Sequence, residues 1–179
     1  GLRGKRCFHL KWKKPEKIEP YMTFRRIRPL RHFARIGNVK MVRMLIKEGA
    51  LDYDIRNPVS PGEETTLLTA WINEIELGSI VDGSLEDYKQ ANAEIREMII
   101  EYLEVNNSKY GDKLGQYVNT AGPRVLEEEI GLPGYSVYEL VCYSISYMSS
   151  KLAMTFHENN NREELEKSRE RLLTLGCRP

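Results

Sequence analysis

Residues 28–50, RPLRHFARIGNVKMVRMLIKEGA, carry the signals of two short helices in succession. Proline favours the first position of a helix because its φ is fixed near the helical value, and glycine often ends a helix. Pro29 and Gly37 therefore bound a first helix that runs to about Ile36, and Gly49 ends a second. Both are shorter than the roughly 12–15 residues that are stable alone in water, so each must stack on a neighbour.

The apolar residues of this stretch recur at the three- and four-residue intervals of one helix face. They are Leu30, Phe33 and Ala34 in the first helix and Val39, Val42, Leu45 and Ile46 in the second. Arg43 and Lys47 lie off the second apolar stripe. Pairs of short helices that each have one apolar face are the building unit of stacked-helix solenoids.

The pattern resembles the ankyrin repeat, a β-turn and two antiparallel helices that recur at about 33 residues. The matching residues are Pro29, Leu30, Phe33, Ala34, Gly37, Val42, Leu45, Ile46, Gly49 and Ala50. Arg31 stands where that family usually has histidine, and Phe33 where it usually has alanine, as happens in a terminal repeat. The resemblance implies a curved solenoid that binds a protein through its finger loops and first helices, without catalysis.

A second unit is more loosely similar to the same repeat. Residues 65–70 resemble its opening, and residues 98–103 resemble its second helix. The residues between them hold an insertion at about 78–94 that is rich in helix formers. We therefore predict lengthened helices here, with a loop at 82–84.

A third unit opens near residues 134–140 and closes near 172–177. The predicted fold is thus all-α, an ankyrin-like helical solenoid of stacked short antiparallel helix pairs with lengthened helices. The alternative is a generic helical bundle, because helices of any fold commonly end in glycine. The predicted division of the chain is an arm at 1–27 and a repeat domain at 28–179, with units at about 28–60, 61–107 and 108–179.

Length and composition favour one soluble domain. The chain has 179 residues, of which 41% are hydrophobic, so it can bury a core. No apolar run approaches the roughly 18 residues of a membrane helix. The three cysteines are an odd number without paired spacing, which predicts a cytoplasmic or nuclear protein with free thiols. The first residue is glycine, which is consistent with a tag remnant or a domain excised from a longer protein.

Charge is balanced over the chain but not locally. Lys and Arg number 27 and Asp and Glu 26, yet residues 1–31 contain 11 of the former and 2 of the latter. Such a basic segment can bind an acidic protein partner, nucleic acid or an anionic membrane surface. It can also simply pack its aromatic residues on the first repeat while its lysines remain solvated. The candidate partner-binding cations are Lys13, Lys14, Arg25, Arg26, Arg28 and Arg31.

Tyrosines in residues 135–147 are a second candidate surface. They do not all share one helix face, so some must be exposed or must find partners for their hydroxyls. Exposed tyrosine is a common interface anchor, and we select Tyr135 and Tyr138. Packing between long helices explains the same residues nearly as well.

Motifs for catalysis or metal binding are absent from the sequence. No phosphate-binding loop, dinucleotide-binding loop, zinc-protease motif or nucleophile elbow occurs. Cys142 has apolar helical flanks, which are more typical of a buried thiol than of a nucleophile served by His32 or His157. We therefore predict no catalytic residues, no metal and no cofactor.

These features together predict a non-catalytic protein-interaction domain that binds an unidentified protein, for which an acidic protein is a candidate. Its divergent repeats are similar to those of viral or bacterial proteins that engage host factors, or of a cytoplasmic domain of a larger protein. The alternative function is a nucleic-acid-binding regulator that uses the basic arm. The sequence leaves the oligomeric state open.

Overall fold

A computed structural model describes residues 28–72, 85–122, 135–146 and 162–179. These ranges form eight α-helices and one 3₁₀ turn, with no strand among them, so the described part of the chain is all-α as predicted. The helices are α1 (Pro29–Arg35), α2 (Val39–Lys47), α3 (Ala50–Arg56), α4 (Thr66–Ile72), α5 (Leu85–Asn106), α6 (Asp112–Val118), α7 (Val137–Ser146) and α8 (Arg162–Thr174). The 3₁₀ turn, Asn107–Lys109, follows α5 directly.

The first helix pair has the boundaries that the sequence predicts. Pro29 occupies the first turn of α1, and Gly37 follows the helix with a φ of 72°. Asn38 caps α2, where its side-chain oxygen accepts a hydrogen bond from the backbone N–H of Met41 at 3.1 Å. Gly49 follows α2 with a φ of 98°, a left-handed conformation that glycine adopts without steric cost.

The helices of the three predicted units contact one another in order. Helix α1 packs on α2 and α4, α4 on α5 and α7, and α7 on α8. Helix α2 also packs on α5, so the second helices of the first two units touch as the first helices do. Residues 64–71 are all buried, and α4 is therefore enclosed by its neighbours along this length.

Two short helices that the sequence patterns did not predict, α3 and α6, pack on each other. Helix α3 begins immediately after Gly49, and α6 follows the 3₁₀ turn. The Tyr110 hydroxyl donates to an Asp52 carboxylate oxygen at 3.0 Å, and the guanidinium of Arg56 lies 5.1 Å from the centre of the Tyr110 ring. The Lys113 ammonium donates to the Arg56 carbonyl at 3.1 Å. These contacts fix α3 on the segment that leads into α6.

Arg171 joins α8 to α5 through two carboxylates. Its guanidinium donates to Glu97 at 2.8 and 2.9 Å and to Glu104 at 2.6 and 3.3 Å. These bonds raise the pKa of Arg171 further above its usual range. The Glu104 carboxylate accepts from Nε and Nη2 in the bidentate geometry that a planar guanidinium favours, and both Glu97 oxygens accept from Nη1. One guanidinium thus holds the two helices in a single register.

Replacing Arg171 by methionine is expected to lower the free energy of unfolding by about 1 kcal/mol, since the pairs are partly solvated. Urea unfolding followed by far-UV circular dichroism measures the change. The matched control is Arg162→Met, which removes only an exposed pair with Glu166 within the same helix. Equal losses in the two variants would show that the bridge to α5 adds no stability.

Candidate functional site

The candidate cations of the arm divide between two parts of the chain. Lys13, Lys14, Arg25 and Arg26 lie outside the described residues. Arg28 was predicted on a binding surface, but its side chain is buried, with 7% of the residue exposed. Its guanidinium donates to the carboxylate of Asp54 at 3.0 Å. Arg28 therefore stabilises the interior and does not contact a partner, because its side chain is buried and forms an ion pair with Asp54.

Arg31 is half-buried and bound to the turn that precedes α4. Its guanidinium donates to the Glu64 carbonyl at 2.9 Å and lies 3.7 Å from a Glu63 carboxylate oxygen. Arg35 on the same helix pairs with the Glu64 carboxylate at 3.0 Å, which also accepts from the Thr69 hydroxyl at 2.8 Å. Arg31 is therefore partly accessible to a partner, although its guanidinium already contacts Glu63 and Glu64 at the start of the second unit.

The two candidate tyrosines have different environments. Tyr135 was predicted as a surface anchor, but the residue is 0% exposed and its carbonyl accepts from the Gly122 N–H at 2.7 Å. It is therefore part of the core. Tyr138 is half-buried on α7. Its hydrogen bond with Cys142 is the main cause that raises the pKa of its hydroxyl, and burial is the second. Of the pair, only Tyr138 is placed to contact a partner.

A basic surface that the site prediction missed lies on α2. Lys40, Arg43, Met44 and Lys47 follow the i, i+3, i+4, i+7 spacing of one helix face, and all four are exposed. We call these four residues the basic α2 face. The opposite side of the helix buries Val42 and Leu45 in the core, so the packing of the apolar stripe turns the charges outward.

The three cations of the basic α2 face have no ion pair within the described ranges. Most other cations there do: acidic partners are found for Arg28, Arg31, Arg35, Arg56, Arg162, Lys167 and Arg171. No acidic residue occurs in α2 itself. Three positive charges that no described acidic residue pairs, within two helical turns, produce a local positive potential that attracts anionic groups.

Exposed apolar surface coincides with this charge. Among the described residues, the large hydrophobic side chains that are exposed are Met44, at 40%, and Val105, at 80%. Met44 lies inside the basic α2 face, and Val105 lies at the end of the neighbouring helix α5. Methionine is adaptable and common at binding surfaces, so the face offers an apolar contact together with its charges.

The described ranges offer little chemistry beyond this surface. They contain no group of three or more His, Cys, Asp or Glu side chains placed to hold a metal ion, and no helix in them is both long and apolar enough to cross a bilayer. Cys142 and Cys177 are free thiols. Burial raises the pKa of Cys177 to about 12, and its thiol donates to the Val118 carbonyl at 3.7 Å. Such a thiol is protonated and unreactive at neutral pH.

An open groove of about 420 Å³ lies beside α6 and the C-terminal residues. Glycines form much of its wall, and its charged lining residues are Asp112 and Arg178. An open groove with this lining lacks the convergent, buried polar groups of a catalytic site.

No protein-family model, no curated protein and no solved structure matches this chain. The resemblance to ankyrin repeats therefore stays a prediction from the residues quoted above.

Proposed function

We propose that the chain is a non-catalytic protein-interaction domain, built as an ankyrin-like stack of three helix pairs. The helix contacts support this arrangement, because α1, α4 and α7 touch in sequence while α2 and α5 touch beside them. Helix α5, at 22 residues, supplies the lengthened second helix that the insertion required. The short helices α3 and α6 occupy the same position after the second helix of successive units.

The binding surface that we propose is the basic α2 face. The resemblance to ankyrin repeats favoured the first helices, but α4 is buried over residues 66–71 and offers no side chain to a partner. The observation that carries the proposal is a set of three exposed cations, without an ion pair in the described ranges, around the exposed Met44 on one short helix. Arg31 and Tyr138, both half-buried, remain secondary candidates.

The partner class that fits this surface is an acidic protein segment with an apolar residue among its carboxylates. Opposite charge steers such a partner to the face and fixes its register, while Met44 provides apolar contact that survives added salt. The basic residues of the arm would extend the same positive potential if they lie nearby. The free thiols accord with a cytoplasmic or nuclear location.

Affinity capture with charge-reversed proteins tests the proposal. The triple variant Lys40→Glu, Arg43→Glu, Lys47→Glu is expected to lose at least about tenfold of the bound partner, because like charges then face each other. The matched control reverses Lys109, Lys167 and Arg178, which are exposed, lie off α2 and give the same change in net charge. Both proteins are used with and without residues 1–24, in lysate with and without nuclease treatment.

Each outcome separates the candidate functions. A nuclease-resistant protein that binds the intact chain and the control, but not the triple variant, supports the basic α2 face. Binding that requires residues 1–24 and disappears on nuclease treatment supports the nucleic-acid alternative instead. Equal capture by the triple variant and the control would contradict the proposed surface.

A further inference from the structure

Helices α2 and α5 carry the same surface pattern with opposite charge. Residues 40–47 read KMVRMLIK, and residues 94–101 read EIREMIIE. In both segments the first, fourth and eighth residues are charged and the fifth is methionine. The residues at these three positions are all basic in α2 and all acidic in α5, and the one cation of the α5 segment, Arg96, is buried against Trp71. The two segments therefore carry opposite charges at the same three positions.

Burial confirms that the two segments have the same phase toward the core. The first, fourth and eighth residues of both are exposed, and the third and sixth are buried. The methionines at the fifth position are Met44, which is 40% exposed, and Met98, which is partly buried. Val105 lies one turn beyond the α5 segment and is 80% exposed. We call Glu94, Met98, Glu101 and Val105 the acidic α5 face.

These neighbouring helices do not neutralise each other. Glu97 is held by Arg171 of α8. Glu94 and Glu101, like the three cations of the basic α2 face, have no ion pair in the described part of the chain. Two oppositely charged surfaces thus lie on adjacent helices, and both carry charges that have no ion pair among the described residues.

We propose that the chain forms a two-fold symmetric dimer in which the basic α2 face of one copy lies on the acidic α5 face of the other. A two-fold axis that passes between the adjacent helices places α2 of each copy on α5 of the other, so one contact generates its symmetric equivalent. This inference rests on the proposed function and names a second copy of the chain as an acidic partner of the same surface.

The spacing of the charges matches along the two helices. Lys40 and Lys47 are seven residues apart, as are Glu94 and Glu101, which places each pair about 10.5 Å apart along its helix. Both lysines can therefore meet a glutamate at the same time, whichever way the helices run. Met44 then lies close to Met98, and the apolar contact falls between the two ion pairs. Pairing α2 with α2 would oppose like charges and is disfavoured.

The dimer is expected to be weak and sensitive to salt. Its contacts are mostly exposed ion pairs around few apolar side chains, and such pairs are screened by ions. Raising the salt concentration from about 50 mM to about 500 mM should weaken self-association at least about tenfold. Sedimentation velocity of the intact chain over a range of concentrations measures this change.

Charge exchange between the two faces gives a sharper test. One protein carries Lys40→Glu, Arg43→Glu and Lys47→Glu, so both of its faces are acidic. A second carries Glu94→Lys and Glu101→Lys, so both of its faces are basic. Each alone should be a monomer, whereas their mixture should form a heterodimer, because both contacts then join opposite charges. The unaltered basic residues of 1–27 are present in every protein and cannot account for such a rescue.

Two controls keep the test decisive. Far-UV circular dichroism establishes that each variant is folded, and reversal of Lys109, Lys167 and Arg178 should leave the dimer unchanged. A wild-type chain that stays monomeric at about 0.5 mM in low salt, or a mixture of the variants that stays monomeric, would overturn the inference. If the chain is monomeric yet the basic α2 face still captures another protein, the dimer is wrong and the proposed function stands. If the mixture dimerises but no other protein is captured, self-association is the function of the face.

Discussion

Replacement of Arg28 by methionine is expected to lower the free energy of unfolding by about 3–5 kcal/mol at neutral pH. The arginine and its partner Asp54 are both buried, with 7% and 4% of their surfaces exposed. Methionine keeps much of the apolar stem but leaves the Asp54 carboxylate without its cation. An uncompensated charge in the interior is costly because the surrounding protein solvates it poorly.

The contacts around Asp54 connect four parts of the fold. The Arg28 guanidinium donates to one carboxylate oxygen at 3.0 Å, and the Thr66 hydroxyl donates to the other at 3.1 Å. Arg28 also donates to the Pro58 carbonyl at 3.4 Å, and its guanidinium lies 5.5 Å from the centre of the Tyr53 ring. The start of α1, helix α3, the following loop and the start of α4 are thereby fixed together.

The pH dependence of this variant provides a specific signature. Burial raises the pKa of Asp54 from 3.8 to about 6, although Arg28, Thr66 and Arg31 act in the opposite direction. In the wild type, the folded carboxyl therefore binds its proton more tightly than the unfolded chain does. The stability that this group contributes is fully present below about pH 4 and is lost as the pH rises through about 6.

Without Arg28, the pKa of Asp54 in the folded protein should rise further. The stability that comes from protonating Asp54 is then lost at a higher pH than in the wild type. The deficit of Arg28→Met relative to wild type is expected to be largest above pH 7 and to shrink by more than half near pH 5, where the carboxyl is neutral. Urea unfolding at several pH values measures it. The double variant Arg28→Met, Asp54→Asn is the control, since removing both charges should recover part of the loss. A deficit that is constant with pH and unchanged in the double variant would show that the side-chain volume matters rather than the charge.

The first helix pair was predictable because its signals are local. Pro29, Gly37 and Gly49 act within one turn of the chain, and the structure has helix boundaries where they predict them. The burial of Arg28 was not predictable in the same way. Its partner, Asp54, lies 26 residues away on α3, a short helix whose own pattern gave no clear signal.

Long-range packing also explains where the structure differs from the predicted site. Tyr135 is an ordinary helix-flanking tyrosine in the sequence, and only the approach of Gly122 and the packing of α7 on α4 bury it. The basic α2 face could have been predicted, since charges opposite a clear apolar stripe must face outward. Its counterpart on α5 could not, because the long helix admits more than one alignment with α2 until the burial of residues 94–101 fixes the phase.

Replacement of Trp71 by alanine is expected to lower the free energy of unfolding by about 3–5 kcal/mol, the usual cost of removing a large buried ring. Trp71 is 2% exposed and lies on α4, which contacts α1, α5 and α7. The Arg96 guanidinium of α5 lies 5.0 Å from the centre of its ring, so the substitution also removes a cation–π contact.

The position of α4 makes this loss a test of the proposed stack of helix pairs. If the pairs form a linear array, each unit is stabilised by its neighbours, and damage to the central one weakens the contacts on both sides. Trp71→Phe should retain most of the stability, because a ring still fills the site and faces Arg96. Val105→Ala, at the exposed end of α5, should change the free energy of unfolding by less than about 0.5 kcal/mol. Urea unfolding of dilute protein, followed by circular dichroism, measures all three variants. If Trp71→Ala unfolds in one transition, the pairs fold as a single cooperative unit around α4; if it costs no more than Val105→Ala, α4 is not the centre of the core.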